Sequence, residues 1–234
     1  MRYYYYYDPT YILVIIAAIF AMIAQVKVNS TYNRFAKKYS RTGLTGRQVC
    51  ERILASRGIY DVSIERVSGR LSDHYDPRKK VLRLSASTYD DTSVAALGVA
   101  AHECGHAIQH AEGYAPLSIR SAIAPVASIG SYVSWILIFF GLFFTGNTGE
   151  FMLQLGIIAF IAVVVFQLIT LPVEFNASKR ALRLLGDNRI LYDDEIKSTK
   201  KVLSAAALTY VAAAATAILQ LLRLVLILGG RKRD

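Results

Sequence analysis

Apolar positions in this chain gather in four long blocks, at residues 11–26, 123–144, 151–173 and 202–228, and the polar positions lie between them. A helix needs about 20 apolar residues to cross a hydrocarbon core. The last three blocks meet that length. The first meets it when 9–28 is taken as the span, with Tyr and Lys at its ends. The pattern predicts an integral membrane protein with about four transmembrane helices. A cleaved signal peptide is the alternative for the first block. Its leading segment holds an Arg and an Asp, and no small-x-small cleavage site follows, so an uncleaved anchor is expected. The tyrosines from Tyr3 to Tyr7 ahead of it fit an interfacial aromatic belt.

Between the blocks the periodicity changes. Val49, Ile53 and Leu54 share one face of a helix over 48–56, with Gly58 as its stop. Residues 62–67 and 80–85 alternate and predict strands, and 70–76 predicts another between them, followed by an Asp76-Pro77 turn. A long helix is expected through 90–113, capped by Asp91 or Thr92 and ended by Gly113. Blocks two and three are joined by the polar "TGNTGE" of 145–150, which makes them a helical hairpin. The expected fold is a mainly α membrane protein with an extramembrane α+β region that carries a short β-sheet. Its segments are an N-terminal anchor (1–28), the α+β region (29–120), a transmembrane hairpin (121–173), a second polar segment (174–201), and a last transmembrane helix with a basic tail (202–234).

Charge sets the orientation. Of 27 Lys and Arg, fifteen lie from Lys27 to Arg120 and seven from Lys179 to Lys201. Cytoplasmic loops are the ones enriched in Lys and Arg, so both segments are expected in the cytosol and the 145–150 turn outside. Two crossings separate the segments, so they share a side whichever way the chain is inserted. The tail from Arg231 to Arg233 would end outside if block four crosses, against the same bias, which leaves the side of the C-terminus open. The net charge of +10 carries no recognition motif for nucleic acid, and an anionic lipid leaflet is the better partner for it. Cys50 and Cys104 form no disulfide framework, and both fall in the segment expected in the cytosol, where thiols stay reduced.

Three of the four histidines lie in "VAAHECGHAIQHAEGY". Residues four apart point the same way on a helix, so His102 and His106 converge. With Glu103 they read His-Glu-Cys-Gly-His, the H-E-x-x-H pattern in which two His bind zinc and the Glu is general base. His110 repeats the spacing from His106 without a Glu beside it. It is too far along the helix to share a metal with His102, because eight residues rise roughly 12 Å. His110 is read as a residue beside the site or an exposed one. A catalytic zinc needs a third protein ligand and an open position. That ligand must share a side with His102, and Glu174 lies where block three leaves the membrane, between Val173 and Phe175. A carboxylate there is costly unless partnered; the alternative is an exposed Glu on a surface helix. Asp187, Asp193, Asp194 and Glu195 are read as solvated acids. For stabilising an oxyanion, His74 is the first candidate, with Tyr75 and Tyr210 behind it.

At these residues the chain resembles a known family. "AAHECGHAIQHAEGYAPLSIR", "TLPVEFNASKRAL", "DHYDPRKKVLRLS", "LSAAALTYVAA" and "YYDPTYIL" are similar to the bacterial membrane neutral zinc metallopeptidases of the YugP type, over essentially the whole chain. The resemblance implies that His102, His106 and Glu174 hold Zn2+. Cys104 departs from the small residue usual there, and on the helix it points away from the ligand pair. A more distant likeness is to the HtpX-type membrane proteases, which carry an Asp after the third ligand to orient a ligand His. Ser178 stands at that Asp position, one helical turn from Glu174, where a hydroxyl can bond an imidazole but adds no charge.

The function expected is a membrane-embedded, gluzincin-like zinc endopeptidase of the bacterial inner membrane. It would cleave membrane or membrane-proximal protein segments from a cytosolic, zincin-like active site, alone, as a homo-oligomer or with other membrane proteins. The alternative is a non-catalytic scaffold stabilised by zinc. Structural zinc sites are usually closed by four ligands and rich in Cys, and this chain offers three ligands and a base. A transporter is disfavoured, because Arg223 is nearly the only charge within the apolar blocks.

Overall fold

A computed structural model describes residues 9–69 and 72–231. The expected tyrosine belt and most of the basic tail lie outside these residues. Four helices are long and apolar enough to cross a membrane: α1 (Tyr11–Phe35), α5 (Ala115–Phe143), α6 (Gly146–Asp187) and α7 (Asp193–Arg231). Between α1 and α5 come α2 (Gly46–Ser56), β1 (Ser63–Val67), β2 (His74–Asp76), β3 (Val81–Ser85), α3 (Ala86–Tyr89) and α4 (Val94–Ala111).

The helices outrun the apolar blocks that announced them. α6 holds 42 residues, about 60 Å of rise, roughly twice a hydrocarbon core. It passes through Pro172 and continues as a polar helix to Asp187. The hairpin connection is also shorter than expected. Only Phe144 and Thr145 separate α5 from α6, and Gly146 takes the left-handed φ of 70° that turns the chain.

The described residues divide into two compact units. One consists of 9–23, Arg120–Ile169 and 210–231, all from the four long helices. Its core is Ile138, Leu153, Ile157, Phe160, Val164, Ala217 and Leu224. Gly156 lets α6 lie against α5, since a Cβ there would meet Ile138 Cγ1 at 2.9 Å. Large apolar side chains such as Ile129, Phe139, Phe143 and Phe151 stay exposed, as a lipid-facing surface requires. The Arg223 guanidinium lies over the Tyr11 ring, 4.2 Å from its centroid.

The other unit, Ala24–Ile119 and Thr170–Thr209, holds the sheet and α4. The strand order is β1-β3-β2, with β1 parallel and β2 antiparallel to β3. β3 is central, so its Val81, Leu82, Leu84 and Ser85 are buried. β2 pairs only on one side among the described residues and forms an edge. α2 begins with a capping box at Thr45 and Gln48. It ends as expected at Gly58, which adopts φ 67° while Ile59 N–H reaches Leu54 O. α4 is capped by Ser93, whose hydroxyl accepts from Ala96 N–H at 3.2 Å. Neither expected cap, Asp91 or Thr92, holds that place, and Asp91 instead accepts from the backbone N–H of Ser93. Gly113 ends α4 with φ 64°, as expected.

Glu195 corrects the reading of its segment as solvated. It is 1% exposed, because its two oxygens accept the backbone N–H groups of Arg41 and Tyr192, both at 2.9 Å. It caps the start of α7 and ties a loop to it.

Candidate metal centre

α4 lies in the core of its unit with small residues on its packed faces. Ala95, Ala96, Ala100, Ala101 and Ala107 are all buried. Gly105 sits between the two metal-spaced histidines, and a Cβ on it would meet the Ala177 carbonyl oxygen at 2.8 Å. Only glycine allows this approach of α6 to α4. The close approach brings Glu174 and Ser178, one turn apart on α6, against His102 and His106.

The result is a convergent donor set. One ligand atom each from His102, His106 and Glu174 lies within 4.8 Å of the others. Glu174 Oε2 stands 3.2 Å from His102 Nε2 and 3.5 Å from His106 Nε2. The two imidazoles meet edge to face at 4.8 Å. Glu174 is 2% exposed, so its carboxylate is no surface charge. Burial alone would lower the His106 pKa, but Glu174 and Glu103 beside it outweigh burial and the net shift is upward. A pocket that favours positive charge in this way suits a cation.

The far nitrogens of both rings are also held. Ser178 Oγ lies 3.1 Å from His102 Nδ1, the contact expected at that position. His106 Nδ1 lies 3.0 Å from Gln109 Oε1. The orientation of this amide is fixed by its other partners. Gln109 Nε2 donates to the Val173 carbonyl and to Asn176 Oδ1, each at 2.9 Å. Asn176 Oδ1 in turn accepts from Arg180 Nε at 2.7 Å, and Arg180 pairs with Glu112. A carbonyl only accepts and a guanidinium only donates, so the chain of bonds has one direction. Gln109 must present its oxygen to His106, which carries its proton on Nδ1 and leaves the Nε2 lone pair facing Glu174. Two imidazoles, each with Nε2 toward Glu174, and a carboxylate oxygen are a donor set of the kind zinc takes, so the residues fit the ion.

Glu103 is 8% exposed and makes no hydrogen bond or ion pair among the described residues. It adjoins the cluster through His102 and acts electrostatically on His106. Cys104 is fully buried in the hydrophobic core with Cys50, away from the donor set as expected. Burial and the neighbouring Cys104 push the Cys50 thiol well above its ordinary range.

The edge strand divides its two candidates. Tyr75 pairs with Leu82 and faces α4, where its hydroxyl lies 2.9 Å from His110 Nδ1. His74 pairs with Arg83 on the opposite face, is exposed, and has Nδ1 at 2.9 Å from the Ser72 carbonyl. His74 and His110 therefore stand outside the donor cluster, and Tyr210 is half-buried in α7. Burial first, then Asp61 and Asp76, push the Tyr75 phenol up to about 12, so at neutral pH it keeps its proton. Sequence reasoning missed Gln109, Asn176 and Arg180. The available signal was Gln109 three residues after His106, on the same side of the helix.

Comparison with known proteins agrees with this geometry. The profile of a family described as "Putative neutral zinc metallopeptidase" matches residues 10–229. A protein of Bacillus subtilis (strain 168), described as "Putative membrane protease YugP", is 47% identical over 212 residues, covering 90% of this chain and 93% of that one. No solved structure matches. A likeness this extensive, over a chain whose helices gather two histidines and a glutamate at one point, makes it a member of the neutral zinc metallopeptidase family, with Zn2+ as cofactor.

Proposed function

We propose that the chain is a membrane-bound zinc endopeptidase that hydrolyses peptide bonds of membrane or membrane-proximal proteins at the cytosolic face. The observation that carries this reading is the convergence of His102, His106 and Glu174 beside a buried, unpartnered Glu103. These three residues would hold the ion, and three protein ligands are the number that would leave a bound zinc a position for substrate. That open position separates an enzyme from a scaffold with a closed zinc site.

Held there, zinc would supply Lewis acidity, which lowers the pKa of a water to about 7 and polarises a carbonyl. Glu103 takes the proton of the attacking water and returns it to the leaving amine. Gln109 keeps the His106 ring in the tautomer that presents Nε2 to the ion, and Ser178 can accept the Nδ1 proton of His102 in the same tautomer. Tyr75, rather than His74, is the donor from the edge strand for the developing oxyanion, since it faces α4 with its proton retained. The free side of β2 suits an extended substrate backbone, which would add as a further strand in a zincin-like arrangement. The Lys and Arg enrichment of the segments that carry His102 and Glu174 supports the cytosolic side.

The test pairs two substitutions. Glu103→Gln keeps shape and ligands, so it should retain stoichiometric zinc yet lose nearly all hydrolysis. Glu174→Ala removes a ligand oxygen and should lose zinc and activity together, with partial rescue by excess zinc. Elemental analysis beside a peptide-cleavage assay reads both. An active Glu103→Gln protein, or a Glu174→Ala protein that binds zinc as tightly as the parent, rejects the assignment.

A further inference from the structure

We propose that a groove between α1 and α7 binds the headgroup of an anionic phospholipid. The groove has a volume of about 660 Å³ and lies within the unit that holds the sheet. α1 contributes Lys27 and Arg34, and α7 contributes Lys197, Lys200 and Lys201. The spacing is helical on both sides. Lys27, Thr31 and Arg34 fall on one face of α1, and Lys197, Lys201, Ser204 and Leu208 on one face of α7.

Five cations share this groove and no acid lines it. None of the five forms an ion pair among the described residues. Two of the three acids at the start of α7 are already engaged, and the third, Asp193, forms no ion pair with a groove cation among the described residues. Asp194 pairs with Lys38 and Arg41, and Glu195 accepts two backbone N–H groups. A second cavity, of about 330 Å³, differs in having an acid in its wall: Glu112 lines it and pairs with its Arg180. Like charges gathered without a counter-charge repel one another, and an anion between them relieves that repulsion.

The place of the groove along each helix identifies the anion. Lys27 directly follows the apolar stretch 11–26 of α1, and Lys201 directly precedes the apolar stretch 202–228 of α7. Both helices therefore put their cations where hydrocarbon gives way to water, the depth of lipid phosphates. The groove also has apolar walls, Phe35, Ala205 and Leu208, which suit the glycerol and first acyl carbons and have no use for a free inorganic ion. Its uncompensated charge favours a headgroup with net negative charge over a zwitterionic one that brings its own cation.

The experiment uses the full chain in a neutral detergent, with dioctanoyl phosphatidylglycerol titrated by calorimetry. Dioctanoyl phosphatidylcholine and inorganic phosphate serve as competitors. Saturable binding of one phosphatidylglycerol per chain is expected. The triple variant Lys197→Gln, Lys200→Gln, Lys201→Gln should bind at least about tenfold more weakly, given the gain each surface cation provides near anionic lipid. Arg52→Gln, Lys37→Gln, Lys79→Gln removes as much charge from exposed, unpaired positions elsewhere and should stay within about twofold of the parent. The Lys→Arg version of the groove triple keeps the charge and should bind like the parent, so a folding defect in the Gln variant cannot pass for loss of the site. Equal weakening in the control triple, equal binding of phosphatidylcholine, or displacement by inorganic phosphate at matched concentration would each overturn the proposal. None of these readouts depends on zinc or on hydrolysis.

Discussion

Gln109 is fully buried yet polar at its tip, and all three of its hydrogen bonds are made. Gln109→Leu keeps most of the volume but strands the His106 Nδ1–H and takes one donor each from the Val173 carbonyl and Asn176 Oδ1, which keeps Arg180. An abandoned buried polar group costs about 1–3 kcal/mol. The substitution should also weaken zinc affinity about 10- to 100-fold, because His106 loses the partner that fixes its tautomer. Competition with a chromophoric chelator measures this, and unchanged affinity would remove Gln109 from the site. Tyr75 and His74 are neighbours with opposite expectations. Tyr75→Phe deletes only the hydroxyl that faces His110, so zinc content should hold while kcat falls about 10²-fold. His74→Ala acts on the other face of the strand and should leave kcat near that of the parent. The reverse result would return the oxyanion role to His74.

At the scale of elements, the metal centre depends on how closely α6 and α7 approach α4. Gly105→Ala places a methyl group against the Ala177 backbone oxygen, which cannot rotate away. α6 must shift, and Glu174 and Ser178 shift with it. A loss of about 1–3 kcal/mol in stability is expected from such overpacking, together with a loss of zinc affinity that a purely local defect would not give. Gly98 provides the internal comparison. A Cβ there would meet Thr199 Cγ2 at 2.5 Å, a side-chain atom that can be removed. Thr199→Ser deletes that methyl and keeps the hydroxyl that donates to the Val94 carbonyl. Gly98→Ala should therefore be destabilising alone and largely rescued by Thr199→Ser, as thermal melts of the two singles and the double would report. No equivalent second-site change exists for Gly105, where the obstacle is main chain.

At the scale of the whole molecule, insertion fixes which residues can meet. If α5 and α6 both cross, the even number of crossings between α4 and the polar end of α6 would put His102 and Glu174 on one side of the membrane. Single cysteines at positions 90, 147 and 193 test this directly. Native Cys50 and Cys104 are buried, which keeps their background low. Positions 90 and 193 should label together from the cytosol, and 147 only from outside. Labelling of 90 and 193 from opposite sides would break the donor cluster itself. Labelling of all three in the reverse sense would invert the orientation and leave the cluster intact.

The sequence by itself determined what is local or additive. Transfer of apolar side chains into hydrocarbon sums along a segment, so the four blocks announced α1, α5, α6 and α7. Side-chain period distinguishes a strand from a helix within a few residues, so β1, β3 and the helix with His102 and His106 were legible, as were the glycine stops at Gly58 and Gly113. Polarity hid the helix ends: 174–187 reads as a polar segment beyond a membrane span, but its apolar face, with Ala181, Leu184 and Leu185, packs into the core and continues the helix without a break. Only the tertiary structure decided how each polar side chain is spent. Glu195 looked solvated and is buried, because the N–H groups it accepts become available only when the loop at Arg41 folds onto α7. The sequence ranked His74 ahead of Tyr75, and pairing with β3 assigned them opposite faces. Glu174 could be nominated from parity, but its meeting with His102 across 72 residues rests on a missing Cβ at Gly105, and nothing in the local sequence of either helix encodes that approach. The hydrogen-bond partner of a buried group is set by what the rest of the chain places beside it, and that is a property of the fold rather than of the neighbouring residues.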